Sequence, residues 1–523
     1  MDINIDNAGD AGASAVYADE TNGGSHIVTA NTVKLINKKQ TAVSLQESTV
    51  NDQKIEVKGF TQLDIEGGWD GHGVRLMHNA NGSIILTGKE GTESTVNISS
   101  AKQSTEQTGR SAIYLGSSAD NNSSVEITAT NVNIESRTTE KESENGFKYG
   151  AVIAMTKNAH QLTINADNLK VSNLNGDANK ETYAIGVAHG TANLTGKQSV
   201  QVDGQVLVEN ASKLTMTGKT ITVNSEFGRG IQSYSKANVV VGNDKTENVT
   251  ISSKDLALFA REGNISVVAD KFTASVTGKG DYWVIGAQNN TQFETAPDNR
   301  ATLSINANDI SLIAPASDTE DPNIGIAAYS NSKVDIEGNL FVKADHAIDA
   351  RGYSTLNVNV NGDHSTRMEG DIVFETPNIP TDPKNSGDKI DAYVTVNLTG
   401  ADSYWTGSAY QYYGVDKDGG TTSTATSDYT YQKFVRLSGA PTKYGDVNHF
   451  AVTLSQGEAW NITDNSFVNI LKMDNGGKIQ STAGSSVSEL NIGTLDVQGS
   501  GNSIFVPNAK ITFKTQNLGR VGV

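Results

Sequence analysis

The sequence predicts an all-β fold in which short strands wind into a solenoid. Length, composition and an internal repeat support this prediction. A single core rarely grows beyond about 300 residues, so a chain of 523 residues consists of several domains or of repeats. The 51 Gly, 8 Pro and 36% hydrophobic residues favour repeats, because each coil of a solenoid buries only its inward side chains.

The internal repeat is a short element of small and aliphatic residues. Its second apolar residue falls at Val74, Ile113, Val152, Ile185, Ile231, Leu258, Ile285, Ile326 and Ile348. The successive spacings are 39, 39, 33, 46, 27, 27, 41 and 22 residues. They scatter around one or two multiples of roughly 20 residues, which is the coil length of β-solenoids.

An alternating strand follows each repeat element after a polar turn. In residues 302–313 the apolar positions Leu303, Ile305, Ile310 and Ile313 are separated by polar ones, as in a strand with one buried face. Asn, Asp and Gly lie between the strands and suit tight corners. The sequence therefore predicts a right-handed parallel β-helix, since short turns replace the helical crossovers of other parallel folds.

One change in composition predicts a domain boundary. Pro377, Pro380 and Pro383 lie close together, and proline cannot donate a hydrogen bond to a strand ladder. We therefore expect β-helix repeats over residues 1–375, and a C-terminal region with longer strands and a Tyr-rich insert over residues 376–523.

Three motifs occur in order in the C-terminal region. Trp405, Thr406 and Gly407 form the first. The second comprises Trp460, Thr463, Ser466, Val468, Leu471, Gly476 and Gly477, and the third comprises Leu495, Val497, Gly499 and Gly501. In this order they resemble the last coils of autotransporter passenger domains of the pertactin and AIDA type, which use type V secretion. The segment between Trp405 and Ala459 is longer than that family's pattern.

The resemblance implies that the C-terminal region is an autochaperone-like cap. It also implies an extracellular passenger on the outer-membrane surface of a Gram-negative cell, whose membrane barrel lies outside this chain. We expect that an export signal has been removed, since Asp2, Ile3 and Asn4 follow Met1 without an apolar segment. No run of 18 apolar residues occurs, so the passenger itself is not expected to span the membrane.

Residues 67–73, GGWDGHG, are the segment most suggestive of chemistry. A calcium-binding glycine-rich repeat, the Gly-His-Gly of β-helical polygalacturonases, and a wide turn whose Trp69 caps the first coils are the three interpretations. The calcium motif works in tandem and the enzyme motif needs further partners, so the turn is favoured. With no Cys and eight scattered His residues, we predict no catalytic residues, no metal and no cofactor.

Paired carboxylates are the remaining route to an enzyme. Asp345, Asp349 and Asp363 could approach one another on adjacent coils, as in solenoids that cleave glycans. A solvated acidic face is the alternative interpretation, and we favour it.

The net charge of −18 bears on the choice of partner. Acidic residues are spread along the chain, and nucleic acid requires a basic patch. We therefore expect no nucleic-acid partner.

The Tyr-rich insert is the predicted binding site. The candidate ligand-binding residues are Tyr410, Tyr412, Tyr413, Tyr429 and Tyr431, because rings with a polar edge suit both sugars and protein anchors. The alternative is that these residues are cross-strand pairs of a hairpin with Gly419 and Gly420 at its turn.

Together these features predict an adhesin rather than an enzyme. Its expected partners are host or bacterial surface glycans or proteins, or identical chains in aggregation and biofilm, which would make it a factor in virulence. A β-helical surface enzyme that cleaves polysaccharide is the rival prediction. A phage tail fibre would share the solenoid but would not explain the C-terminal motifs.

Overall fold

Strands with one apolar face account for most of the chain in the computed structural model. It describes all residues except 8–13, 21–24, 49–52, 69, 79–81, 101–109, 118–122, 138–149, 157–159, 175–182, 227, 290–299, 319–320, 353, 363, 377–391, 416–432, 438–448 and 519–523. The described residues form 40 strands and contain no helix, and so none of them forms a helix capable of crossing a membrane. The all-β prediction is confirmed.

The chain divides into two units. Unit 1 comprises residues 1–254 and 263–270, and unit 2 comprises residues 255–262 and 271–523. The sequence boundary at residues 375/376 falls inside unit 2. The three prolines that suggested it lie outside the described residues.

Unit 1 is a three-sided parallel β-helix, whose sides we name sheets A, B and C. Sheet A contains β3 (Ser25–Thr29), β6 (Gln53–Phe60), β9 (Gly82–Gly88) and β20 (Asn238–Gly242). Sheet B contains β1 (Asp2–Asn7), β4 (Thr32–Asn37), β7 (Gln62–Gly67), β10 (Thr95–Ser100) and β21 (Asn248–Ser253). Sheet C contains β2 (Val16–Glu20), β5 (Val43–Ser48), β8 (Val74–His78), β11 (Ile113–Ser117), β13 (Ala151–Met155), β15 (Tyr183–Val187), β17 (Gln205–Val208) and β19 (Ile231–Tyr234).

Four longer strands turn the corner from sheet A to sheet B. They are β12 (Ser124–Ser136), β14 (Gln161–Asn173), β16 (Thr191–Asp203) and β18 (Lys213–Ser225). Each pairs in parallel with the next, so every coil contributes one rung to each sheet.

Unit 2 has the same three sides. Sheet A contains β25 (Ala301–Ile313), β28 (Thr355–Val358), β30 (Tyr393–Leu398), β34 (His449–Ser455), β36 (Ser466–Asp474), β38 (Glu489–Gln498) and β40 (Lys510–Leu518). Sheet B contains the end of β23 (Asn264–Val276), β31 (Tyr404–Thr406), β35 (Ala459–Ile462), β37 (Lys478–Ser481) and β39 (Ser503–Phe505). Sheet C contains β22 (Leu256–Arg261), β24 (Trp283–Gln288), β26 (Ile324–Tyr329) and β32 (Ala409–Val415).

Several strands of unit 2 serve more than one side. The second half of β25 lies in sheet B, β27 (Ser332–Arg351) passes through sheets A, B and C, and β29 (Thr366–Thr376) passes through sheets B and C. Gly338 makes the first corner of β27 at φ +143°, where a Cβ would lie 1.7 Å from the carbonyl oxygen of Ala307. Only glycine allows so close an approach between neighbouring coils.

The strand β33 (Lys433–Leu437) departs from the parallel pattern. It pairs antiparallel with β32, with Tyr412 opposite Arg436 and Tyr413 opposite Val435. The antiparallel pairing agrees with the alternative interpretation of a hairpin, but these two tyrosines do not pair with other tyrosines. Gly419 and Gly420 lie outside the described residues.

Ladders of identical inward positions form the core. In sheet A of unit 1, Val125 pairs with Leu162, Leu162 with Ala192, and Ala192 with Leu214, and all four are fully or almost fully buried. Each fully buried aliphatic side chain contributes about 1.5–3 kcal/mol. Core and backbone pairing therefore propagate together from coil to coil.

The repeat element predicted from the sequence is the strand of sheet C, with two corrections. Ile153, not Val152, pairs with Ile113, and Val206 adds a rung between Ile185 and Ile231. Val74 pairs directly with Ile113, so those 39 residues make one coil. The long spacings are therefore single coils, except for the spacing of 46 residues, which contains two coils.

Candidate functional site

A groove of about 380 Å³ lies on the outer side of sheet B in unit 2. Its lining residues come from β23, β25, β27, β29 and β31, which are five adjacent strands. At about 4.8 Å between strands, the groove extends over roughly 19 Å. It is thus long enough to receive several linked sugar rings.

One wall of the groove is a column of three outward side chains on successive coils. Phe341 pairs with Arg367, and Arg367 pairs with Tyr404. All three are partly exposed, whereas their neighbours Leu340, Met368 and Trp405 point inward and are buried. The alternation that builds the core therefore aligns two aromatic rings and one guanidinium at the surface.

The rest of the groove is polar above a buried floor. Lys271, Asp309, Ser311 and Asn339 line it, and Ile310 forms the floor. The Asn339 amide donates to a carboxylate oxygen of Asp309 at 3.4 Å. Partly apolar walls with a few placed polar groups are typical of ligand sites.

A small network fixes the ring of Tyr404. Its hydroxyl donates to Glu369 at 3.1 Å, and Lys343 lies 2.9 Å from the other oxygen of the same carboxylate. The hydrogen bond from Lys343, followed by that from Tyr404, lowers the pKa of Glu369. Burial, and next the bond to Glu369, raises the pKa of Tyr404. Tyr404 therefore stays protonated as a hydrogen-bond donor at neutral pH.

The guanidinium of Arg367 lies in the middle of the column. Its Nε is buried, and its side chain has no hydrogen-bond partner or ion pair among the residues that the structure describes. The nearby carboxylate of Glu369 is already held by Lys343 and Tyr404. Arg367 thus has guanidinium donors free for a ligand.

Tyr410 is the predicted site residue whose side chain the structure describes. It lies on the outer side of sheet C but is only 3% exposed, and its hydroxyl is 3.2 Å from Nε2 of His346. The Nδ1 atom of His346 is 3.0 Å from a carboxylate oxygen of Asp349. Tyr410 therefore offers no open ring surface to a ligand.

For the other four predicted tyrosines, the structure describes at most the backbone. Tyr412 and Tyr413 lie on β32, where their backbones pair with Glu375 and Thr376 of β29. Tyr429 and Tyr431 lie outside the described residues. The structure thus does not bring the five tyrosines together as one described cluster.

The carboxylates proposed for the rival enzyme have other contacts. Asp345 accepts from the backbone amides of Ser317 and Asn323 at 2.8 and 2.9 Å. Asp349 is 1% exposed and lies in the network with His346 and Tyr410, and Asp363 lies outside the described residues. Asp345 therefore anchors a loop, and Asp349 lies too deep to contact a polysaccharide.

The GGWDGHG segment packs against the turn of the preceding coil. A Cβ on Gly71 would lie 2.0 Å from the backbone of Gln40, so glycine is required there. His72 is buried, donates from Nδ1 to the carbonyl of Ser111 at 3.1 Å, and stacks on Tyr114. This geometry fits the interpretation as a turn, although Trp69 lies outside the described residues. The described residues contain no cluster of three or more metal-ligating side chains.

Phe341 and Arg367 are not among the site residues predicted from the sequence, whereas Tyr404 and Trp405 lie at the start of the Tyr-rich segment. The alternation of inward and outward positions could have predicted that Phe341 is exposed, because its neighbours Leu340 and Val342 point inward. A large aromatic residue at an outward position of a polar strand is the signal. Comparison with family models, with curated proteins and with solved structures finds no match to this chain.

Proposed function

We propose that this protein is an adhesin of the autotransporter passenger type that binds surface glycans through the groove on sheet B. The observation that carries the proposal is the column of Phe341, Arg367 and Tyr404 along an open groove. Aromatic rings offer flat apolar faces to sugar rings, and the polar groups beside them suit sugar hydroxyls. The motifs around Trp405 and Trp460 support display on the outer surface of a bacterial cell.

The lining of the groove favours binding over hydrolysis. Among its described residues, Asp309 supplies the one carboxylate. Glycoside hydrolases generally use two carboxyl groups, about 5–9.5 Å apart. A single exposed carboxylate beside an amide is better suited to accepting hydrogen bonds from sugar hydroxyls.

A glycan panel tests the proposal. We expect the full chain to bind immobilised glycans, and Phe341→Ala or Tyr404→Ala to weaken binding at least about tenfold, which corresponds to about 1.4 kcal/mol. Tyr393→Ala is the matched control, because Tyr393 is 41% exposed on sheet A of the same unit and stacks on His449.

Two outcomes would count against the proposal. Equal glycan binding by the wild type and both groove variants would show that the groove is not the glycan-binding site. Release of new reducing ends from a polysaccharide would favour the rival enzyme.

A further inference from the structure

We propose that the ligand of the groove is an anionic saccharide, whose carboxylate or sulfate group is bound by Arg367. This inference rests on the proposed function, since it specifies the class of glycan. It assigns Arg367 the role of selecting charged sugars over neutral ones. Phe341 and Tyr404, on either side of it, contact the sugar rings.

The first observation is the position of Arg367 in the groove. It occupies the middle rung between Phe341 and Tyr404, which are two rungs or about 9.6 Å apart, so an oligosaccharide lying across both rings passes over the guanidinium. A guanidinium matches the geometry of a carboxylate or sulfate with two parallel hydrogen bonds. The position and the chemistry of Arg367 therefore agree on an acidic substituent.

The second observation concerns the hydrogen-bond donors of Arg367. The side chain of Arg367 is partly exposed and lines the groove, and the neighbouring Glu369 is engaged by Lys343 and Tyr404. Its Nε is buried, so a ligand in the groove would meet the terminal Nη groups. An anionic group would give these donors a charged acceptor.

The third observation is the net positive charge of the residues that line the groove. Lys271 and Arg367 provide two positive charges and Asp309 provides one negative charge, whereas the whole chain carries −18. The side chain of Lys271 is exposed at the groove. An acidic surface repels polyanions, so a local excess of positive charge along a groove restricts where an acidic glycan can bind.

Matched pairs of probes test the inference. Oligogalacturonate carries carboxylates, and its methyl ester is the neutral equivalent. Oligodextran sulfate carries sulfates, and oligodextran is its neutral equivalent. We expect the wild type to bind one charged probe, or both, at least tenfold more tightly than the neutral equivalent, with the preference weakening as salt increases. The pair that shows this preference identifies the source of the charge.

Variants of the full chain connect the preference to Arg367. Arg367→Gln should abolish the preference for the charged probe, and Arg367→Lys should retain part of it. Lys333→Gln is the control, because it removes one positive charge from the sheet A part of β27, where Lys333 forms an ion pair with Asp335. Lys271→Gln should reduce the preference by a smaller factor and serves as the second test if Arg367→Gln does not fold.

The outcomes separate this inference from the proposed function. Equal affinity for charged and neutral probes, or an unchanged preference in Arg367→Gln, would overturn the anionic specificity while leaving glycan binding intact. No binding of any probe, together with no binding on the glycan panel, would overturn both.

Discussion

The indole ring of Trp405 lies stacked on that of Trp460, with ring centroids 4.4 Å apart and planes inclined by 13°. The two residues pair as successive inward rungs of sheet B, and neither is exposed. Each Nε1 donates to a backbone carbonyl, Trp405 to Gly370 at 2.9 Å and Trp460 to Gly407 at 3.0 Å. The stack therefore joins two coils by packing and by hydrogen bonds.

Trp460→Ala should lower the free energy of unfolding of unit 2 by about 3–5 kcal/mol, because it leaves a large cavity and an unpaired carbonyl. Urea unfolding of the full chain measures this loss, and limited proteolysis shows whether the C-terminal coils open first. Phe505→Ala is the control, since Phe505 is 69% exposed. An unfolding midpoint unchanged by Trp460→Ala would contradict the role of the stack.

Gly407 leaves no room for a side chain beside this stack. A Cβ there would lie 2.1 Å from the carbonyl oxygen of Gly370 and 2.7 Å from Nε1 of Trp405. Gly407→Ala should therefore displace Trp405, weaken the exciton signal of the stacked indoles in circular dichroism, and destabilise unit 2 by about 1–3 kcal/mol.

The matched variant for Gly407 is Gly484→Ala. Gly484 has a φ of +81° but open space around it, so alanine strains only its own backbone. It should leave the exciton signal intact. The same spectral change in both variants would show that the signal does not report the contact at Gly407.

Tyr410 should act on stability rather than on binding. Tyr410→Phe removes the hydroxyl beside His346 and should cost about 1 kcal/mol, whereas Tyr410→Ala opens a cavity and should cost about 3–5 kcal/mol. Urea unfolding and glycan affinity, measured on the same samples, separate the two effects. Loss of glycan affinity in a fully folded Tyr410→Phe protein would return this residue to the binding site.

His72 should make the stability of unit 1 depend on pH. Burial holds the pKa of His72 well below 6.5, and the positive charge of Arg75 adds to this effect. The unfolded chain therefore binds a proton below pH 6.5 that the folded chain does not, so stability is retained above pH 6.5 and falls as the pH drops below it. The expected slope is at most about 1.4 kcal/mol per pH unit.

Urea unfolding at several values between about pH 7.5 and pH 5 measures this slope. His72→Phe keeps a ring against Tyr114 and should flatten it. His189→Gln should reduce the slope of stability against pH by a smaller amount, because burial also lowers the pKa of His189 but to a lesser extent. A slope unchanged in His72→Phe would show that another group causes the loss.

The sequence by itself determined the class of fold. Period-two alternation, polar corners and a recurring apolar element follow from local rules, because each coil repeats the same inward and outward positions. It also placed Trp405 and Trp460 in two of the C-terminal motifs. The length of single coils was misjudged, because coils with different numbers of residues can still place their strands on successive rungs, as Val74 and Ile113 show.

The tertiary structure decided which side chains meet across coils. Phe341, Arg367 and Tyr404 are far apart in sequence and become neighbours because β27, β29 and β31 stack in register. The same stacking buries Tyr410 beside His346, although a Tyr-rich segment suggested a surface. Sequence periodicity shows whether a side chain faces in or out, but the register between coils decides which residues share a groove, and loop lengths hide that register from the sequence.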